Sequence, residues 1–343
     1  MDRHPFMSAV LSLLLASSVY GQQMSERGAA GPERNTVAST TDTTDKAQQR
    51  LAGLPSKQEL EDRIAFYERV VRGEESAHAS DIAVGRIYEQ LGLWYRDIAL
   101  LDRSEADQKH AISLFRRASQ SNEDLATSLG NLGSLHVEMG KLREGEKEEL
   151  EAVRTRQDMN DPLLVAQSLS DLATVYLAQH KFEKAIDVAE QALAEFSTNE
   201  RAAAVDRIFV RYALSLALCA AKSCSSAVPV MKAAIDEAKA TMEPDDLRIG
   251  FGEFILGSVY LRLGDPAEAL QYMRQGTSQM KEQLGWGHPM YLKALGQYAQ
   301  LLRKSQRVEE AKVVEHEIRR TDAVVDVHSL QKQTSAFSFA GLR

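Results

Sequence analysis

The stretch Leu169 to Phe196, LSDLATVYLAQHKFEKAIDVAEQALAEF, decides the fold. Leu169, Leu172, Ala173 and Tyr176 recur at helical spacing and share one face. Gln179, His180 and Lys181 interrupt the pattern as a turn, and Phe182, Ala185, Ile186, Ala189, Leu193 and Phe196 then share a face of a second helix. Two amphipathic helices joined by so short a turn pack antiparallel. Each still carries apolar surface that its partner cannot cover, so a neighbouring pair is required.

Working outward, the pair repeats. A small residue near the start of a second helix, followed four positions later by an apolar or long one, occurs at Ala111, Gly145, Ala185, Ala227, Ala269 and Ala311, with gaps of 34, 40, 42, 42 and 42. A steady period in this range marks a solenoid in which every unit buries its face on the next. Small side chains suit these positions because two helix backbones approach closely there, and a larger group would force them apart.

These residues resemble the tetratricopeptide repeat, whose pattern runs W-x-x-L-G-x-x-Y and then A-x-x-x-F. Tyr88, Leu91, Gly92 and Tyr95 with Ala111 and Phe115 match a first unit, with about seven extra residues between its helices. Leu129, Leu132, Gly133 and His136 with Gly145 match a second, the opening stretch a third, and Leu256, Gly257 and Tyr260 with Ala269 and Met273 a fifth. Weaker units surround Leu214, Leu218, Ala227 and Met231, and Leu295, Ala299, Leu302 and Ala311. The 42-residue period and the segment LGWGHPMYLKALGQYAQLLRKSQRVEEA from Leu284 to Ala311 are similar to the long variant of kinesin light chains. The resemblance implies an all-α, right-handed superhelical solenoid of about six helix pairs over residues 81–322. Residues 56–80, with Ile64, Tyr67 and Val71, are expected to form a capping helix. Residues 323–343, with short strand-like pieces at Val324 to Val327 and Phe337 to Phe339, form a tail. Pro162, Pro244 and Pro289 stand just ahead of first helices, where a fixed φ does no harm.

The amino terminus reads as an address. Phe6 to Val19, FMSAVLSLLLASSV, is an apolar run behind Arg3 and before small residues, the layout of a secretory signal peptide over residues 1–21. The run is short for a membrane span, which takes roughly 20 apolar residues. Residues 22–55 contain TVASTTDTT (Thr36 to Thr44) and cannot bury enough surface to offset their entropy, so they read as a spacer. A mature chain without a transmembrane segment, exported to the periplasm or outside the cell, is expected; an uncleaved anchor is the alternative, since Asp2 cancels Arg3. Cys219 and Cys224 read first as two buried small residues; a local bridge at a helix end is the alternative in an oxidising compartment.

A net charge of −8 without a Lys/Arg run argues against nucleic acid, whose phosphates such a field repels. Eight histidines include no H-E-x-x-H pair, and two cysteines cannot build a four-thiolate zinc site, so neither metal nor cofactor is expected. No G-x-S-x-G elbow occurs, and Gly140-Lys141 lacks the rest of a phosphate loop. His136 stands where the repeat has Tyr, and His180 where a turn favours Gly. The run REGEKEELE, Arg143 to Glu151, reads as a solvated face. No catalytic residue is assigned.

In the resembled family the first helix of every pair lines a concave groove that holds peptides. The register carries Arg86, Glu89, Arg96, Asn131, Phe209, Tyr212, Phe251, Phe254, Lys293 and Arg303 onto that face. Phe209, Tyr212, Phe251 and Phe254 would anchor an apolar partner side chain, or else fill contacts between adjacent first helices. Arg86 and Arg96 at one end, and Lys293 and Arg303 at the other, suit a carboxylate. The Lys, Asn and Arg set that grips a peptide's free C-terminus in some relatives is not reproduced. The expected function is a non-catalytic scaffold for a protein or peptide. The alternatives are a structural envelope module bound by its convex or end surfaces and, remotely, a hydrolase.

Overall fold

A computed structural model describes residues 57–76, 79–97, 100–118, 122–284 and 289–324. The expected signal peptide, spacer and most of the tail lie outside them. The described residues form thirteen helices and no strand. Helix α1 (Lys57–Ser76) precedes six pairs: α2 (Asp81–Asp97) with α3 (Leu101–Arg117), α4 (Asn122–Glu138) with α5 (Leu142–Asp158), and α6 (Pro162–Ala178) with α7 (Phe182–Thr198). There follow α8 (Ala204–Ala220) with α9 (Cys224–Thr241), α10 (Leu247–Leu263) with α11 (Pro266–Leu284), and α12 (Pro289–Lys304) with α13 (Val308–Val324).

Inside each pair the backbones meet at the small residues. Gly145, the fourth residue of α5, sits where a Cβ would come within 2.9 Å of the Gly133 carbonyl, and Gly257 meets Ala269 of α11 just as closely. Ala185, Ala227, Ala269 and Ala311, each the fourth residue of its helix, are fully buried. The first pair departs from the expected register. Its fourth residue is Ser104, and Ala111 lies two turns further along α3. Ser104 is buried, and its hydroxyl donates to the Gly92 carbonyl at 2.7 Å. The seven extra residues therefore vanish: α2 and α3 are joined as tightly as the other pairs, with the serine satisfying its polar atom on the backbone it approaches.

The turns inside pairs share one backbone device. Gly140, His180, Lys222, Gly264 and Gln306 all adopt positive φ, between 58° and 83°. These residues fall 40 to 42 apart, one in each of the last five pairs. Five of the turn sequences thus reverse the chain in the same way, although only two use glycine, the residue that enters this region without strain. First helices begin with firmer caps: the Asp161 carboxylate accepts from Leu163 N ahead of Pro162, and Asp246 accepts from Arg248 N.

First helices touch the first helix of the next pair along α2, α4, α6, α8 and α10, whereas second helices make no comparable contact among the described residues. Closer approach along one row bends the stack toward it, so the first helices line the inner side. One apolar cluster runs from Val137 and Val153 through Tyr176, Phe196 and Tyr212 to Leu256, and another joins Phe254, Met273 and Tyr291 to Ala311. Helix α1 closes the first end: Ile64 and Val71 pack with Val84, Leu91, Tyr95 and Leu114, and the Tyr67 ring meets Trp94 edge-on at 4.6 Å. Cys219, at the end of α8, is joined by a disulfide to Cys224, which opens α9. The pair is thus a bridge across the turn, not the two unlinked small residues first expected.

Candidate functional site

The inner face divides at α8. On its first half, α2 and α4 are joined by a ladder of polar pairs. The Arg86 guanidinium donates to both Asp124 oxygens at 2.8 and 3.1 Å, and Asn131 donates to Glu89 at 3.0 Å. Arg96 donates to Glu138 at 2.7 Å. Between and beyond these rungs stand short side chains, all half-buried: Thr127, Gly130 and Ser134 on α4, then Gln167, Ser170, Asp171 and Thr174 on α6. Such residues leave room above the backbone and present donors and acceptors to whatever lies there.

Electrostatics within this half are not uniform. The hydrogen bond and charge of Asp124 raise the pKa of Arg86, fixing its charge. Burial raises the Glu138 carboxyl although the Arg96 guanidinium opposes the shift. Arg96 is buried and committed to Glu138, so it is not available to a ligand carboxylate as expected. Burial also lifts Asp171 to about 6, with Arg156 lowering and Asp206 raising it.

On the second half the same register carries bulk. Tyr212, Phe251 and Phe254 are buried, as are Ala213, Leu216 and Ile255; only Phe209 of the four aromatics is half-buried. Tyr212 inserts beside α10 because Gly252 has no side chain: a Cβ there would stand 2.4 Å from the Tyr212 hydroxyl, which donates to the Arg248 carbonyl at 2.9 Å. Phe254 packs on α11, where a Cβ at Gly276 would come within 2.9 Å of its own. An exposed four-ring anchor is therefore not what the fold builds. Three of the rings fill contacts between helices, because glycines at Gly252 and Gly276 admit them.

The far end differs too. Arg303 donates to both oxygens of Glu315 at 2.5 and 2.7 Å, so it faces α13 of its own pair and not the inner face. Lys293 is half-buried, and burial lowers its pKa. The structure thus assembles Arg86, Glu89, Arg96 and Asn131 along the α2–α4 seam, and separates them from Lys293 and Arg303.

Two residues carry more than their sequence reading. His136 is buried between Glu148, 2.5 Å from Nδ1, and Glu105, 3.2 Å from Nε2. Burial disfavours the imidazolium, yet the two carboxylates outweigh it and the His136 pKa rises. Glu149 departs from the solvated face expected of Arg143 to Glu151: it is 0 % exposed and neither carboxyl oxygen has a hydrogen-bond partner. A mixed charge run hides one inward residue when the helix phase is ignored. Glu149 lies four positions after Gly145, on the same stripe, and that spacing was the available signal.

Among the described residues no group of three or more His, Cys, Asp or Glu is placed to hold a metal ion, and no helix is long and apolar enough to cross a membrane.

The tetratricopeptide repeat family matches residues 165–195 and again residues 254–279. No curated protein matches the chain in sequence. Among solved structures, the apo form of RapI is similar with a TM-score of 0.62 at 12% identity, over 82% of this chain and 99% of that one. The Rap conjugation gene regulator of plasmid pLS20, in complex with a Phr peptide, gives 0.54 at 14%, over 92% and 96%. A Podosopora anserina putative kinesin light chain with TPR-like repeats gives 0.50 at 16%, over 58% and 95%. The chain is a tetratricopeptide-like repeat protein, folded as an all-α solenoid.

Proposed function

We propose that this chain is an exported, non-catalytic scaffold that holds a protein or peptide along the first half of its inner face. The observation that carries the reading is the contrast between halves: short polar side chains at Thr127, Asn131, Gln167, Ser170 and Thr174 stand half-exposed where the same register on α8 and α10 is filled mostly with rings and aliphatic side chains. An extended peptide needs such a floor, with room for side chains and polar groups for its backbone. The Rap regulator crystallised with a Phr peptide supports a peptide as the partner class. Export is supported by the apolar run Phe6 to Val19 and by the Cys219–Cys224 bridge, since disulfides persist in oxidising compartments.

Ser170→Arg tests the groove. It places a long charged side chain on the half-exposed floor. Wild type is expected to retain members of a ten-residue peptide array, and Ser170→Arg to lose them with an unchanged melting curve. Equal retention by both, or none by wild type, overturns the reading. Fractionation of expressing cells with N-terminal sequencing tests export: the expected chain is outside the cytoplasm and starts near Gln22.

A further inference from the structure

The subsite within the groove follows from Glu149. Other acids drawn into this part of the stack have a cationic or polar partner, as Glu138 has Arg96, Glu146 has Lys181 and Gln179, and Glu148 has His136, or, like Asp171, keep a half-exposed side chain. Glu149 is 0 % exposed and has no such partner. A carboxyl in that state costs stability, and folds discard such groups unless a partner arrives or they are used.

Two glycines of α4 face it. A Cβ at Gly133 would lie 2.7 Å from the nearer Glu149 oxygen, so Gly133 is what makes room for the carboxyl. A Cβ at Gly130 would find nothing within 4 Å except the two Glu149 oxygens, at 3.8 and 4.0 Å. Gly130 itself is half-buried on α4, between Thr127 and Asn131, at the position that Ser170 takes one repeat later. Both carboxyl oxygens are covered in the free chain, so a group entering from the inner face at Gly130, where a side chain is missing, reaches the carboxyl as its surroundings shift.

The surrounding charge selects its sign. Asp171 of α6 and Glu148 of α5 both act on Glu149 as like charges. Arg156 acts favourably, but its guanidinium donates to the Leu164 carbonyl and the Ser168 hydroxyl, not to Glu149. Glu148 is paired with His136 and Arg156 is engaged elsewhere, so the carboxyl that an entering group meets has no cation of its own. A metal ion would need several ligands from one place, which the described residues do not assemble. An organic cation on a flexible stem needs one buried carboxylate and a passage one side chain wide.

We propose that Glu149 is the floor of a subsite for a single lysine or arginine side chain of the bound peptide, admitted through the gap at Gly130. This rests on the groove reading above. Burial holds the Glu149 carboxyl protonated well above its ordinary range in the free chain, so an entering cation displaces that proton and binding strengthens as pH rises.

The test uses extended ten-residue peptides in which each position is scanned with Lys, Arg, norleucine and Glu. Wild type is expected to prefer Lys or Arg over norleucine at one position by tenfold or more. Glu149→Gln keeps the shape and removes the charge, and Gly130→Ala adds a methyl at ordinary contact distance, so both remain folded. Both are expected to lose the cationic preference, and Glu149→Gln to bind the norleucine peptides as wild type does. If wild type binds peptides without such a position, or Glu149→Gln keeps the preference, the subsite is wrong while the groove stands. If wild type binds no peptide, both fall. Glu149-dependent binding of n-butylammonium alone, with no cationic preference within peptides, would assign the pocket to a free amine and overturn the peptide subsite.

Discussion

Phe251 on α10 and Gln167 on α6 occupy equivalent positions two units apart, yet one is 3 % exposed and the other stands half-open. The backbone pattern around them is the same: a 17-residue first helix, a left-handed turn residue and a small residue at the fourth place of the second helix. What differs is side-chain volume and the glycines that receive it. Tyr212 of α8 has Gly252 of α10 to press against and Phe254 of α10 has Gly276 of α11, so the inner face becomes core there. On α4 and α6 short polar side chains leave the face as a surface. A repeat thus determines where a groove stands, and residue size decides whether it is open.

The largest expected effect sits in the closed half. Phe251→Ala should destabilise by about 3–5 kcal/mol, as truncation of a buried ring does, seen as a lower urea midpoint with an unchanged slope. A loss below about 1 kcal/mol would show the ring to be accessible and erase the distinction between halves. Arg96→Ala probes the buried rung of the open half. It leaves Glu138 buried without its partner and should cost about 3–5 kcal/mol near pH 8. The loss should shrink toward pH 5, because burial already raises the Glu138 pKa and protonation removes the unpaired charge.

A smaller effect of opposite sign is expected at Glu149. Replacing it by Gln removes a carboxyl that must take up a proton to stay buried, and should stabilise the chain at neutral pH by about 1–3 kcal/mol. The pH dependence follows from the direction of the shift. A carboxyl whose folded pKa lies above its unfolded value binds more protons folded than unfolded, so stability falls as pH rises from about the unfolded value through the folded one. Asp171, lifted to about 6, adds the same slope between its unfolded value of 3.8 and that point. Wild type should therefore lose stability between pH 4 and 7 more steeply than Glu149→Gln, by denaturant titration at each pH. The smallest effect is Gln167→Ala, expected within about 0.5 kcal/mol because its side chain stands on an open surface. A larger loss would mean that α6 is packed as α10 is.

Much of the fold was legible because its signals are local and periodic. The helix pair at Leu169 to Phe196, the small residues at Gly145, Ala185, Ala227, Ala269 and Ala311 and the capping stripe Ile64, Tyr67 and Val71 all reappear where the pattern placed them. The first unit misled, because Ser104 satisfies the close approach through a hydroxyl and so escapes a search for small apolar residues. The site was less legible. The register brought Arg86, Glu89, Arg96 and Asn131 to one seam, but charge alone did not reveal that Arg96 is spoken for by Glu138 or that Arg303 turns to Glu315.

By itself the sequence determined that this chain stacks helical hairpins at a period near 42, since helix, turn and close approach each depend on residues a few positions apart. Only the tertiary structure decided which of the inward positions are surface and which are core, that the two cysteines meet, and that Glu149 lies sealed behind Gly133. Those outcomes depend on what stands opposite each side chain, one repeat away in sequence, where volume and charge are matched in space and leave no local trace.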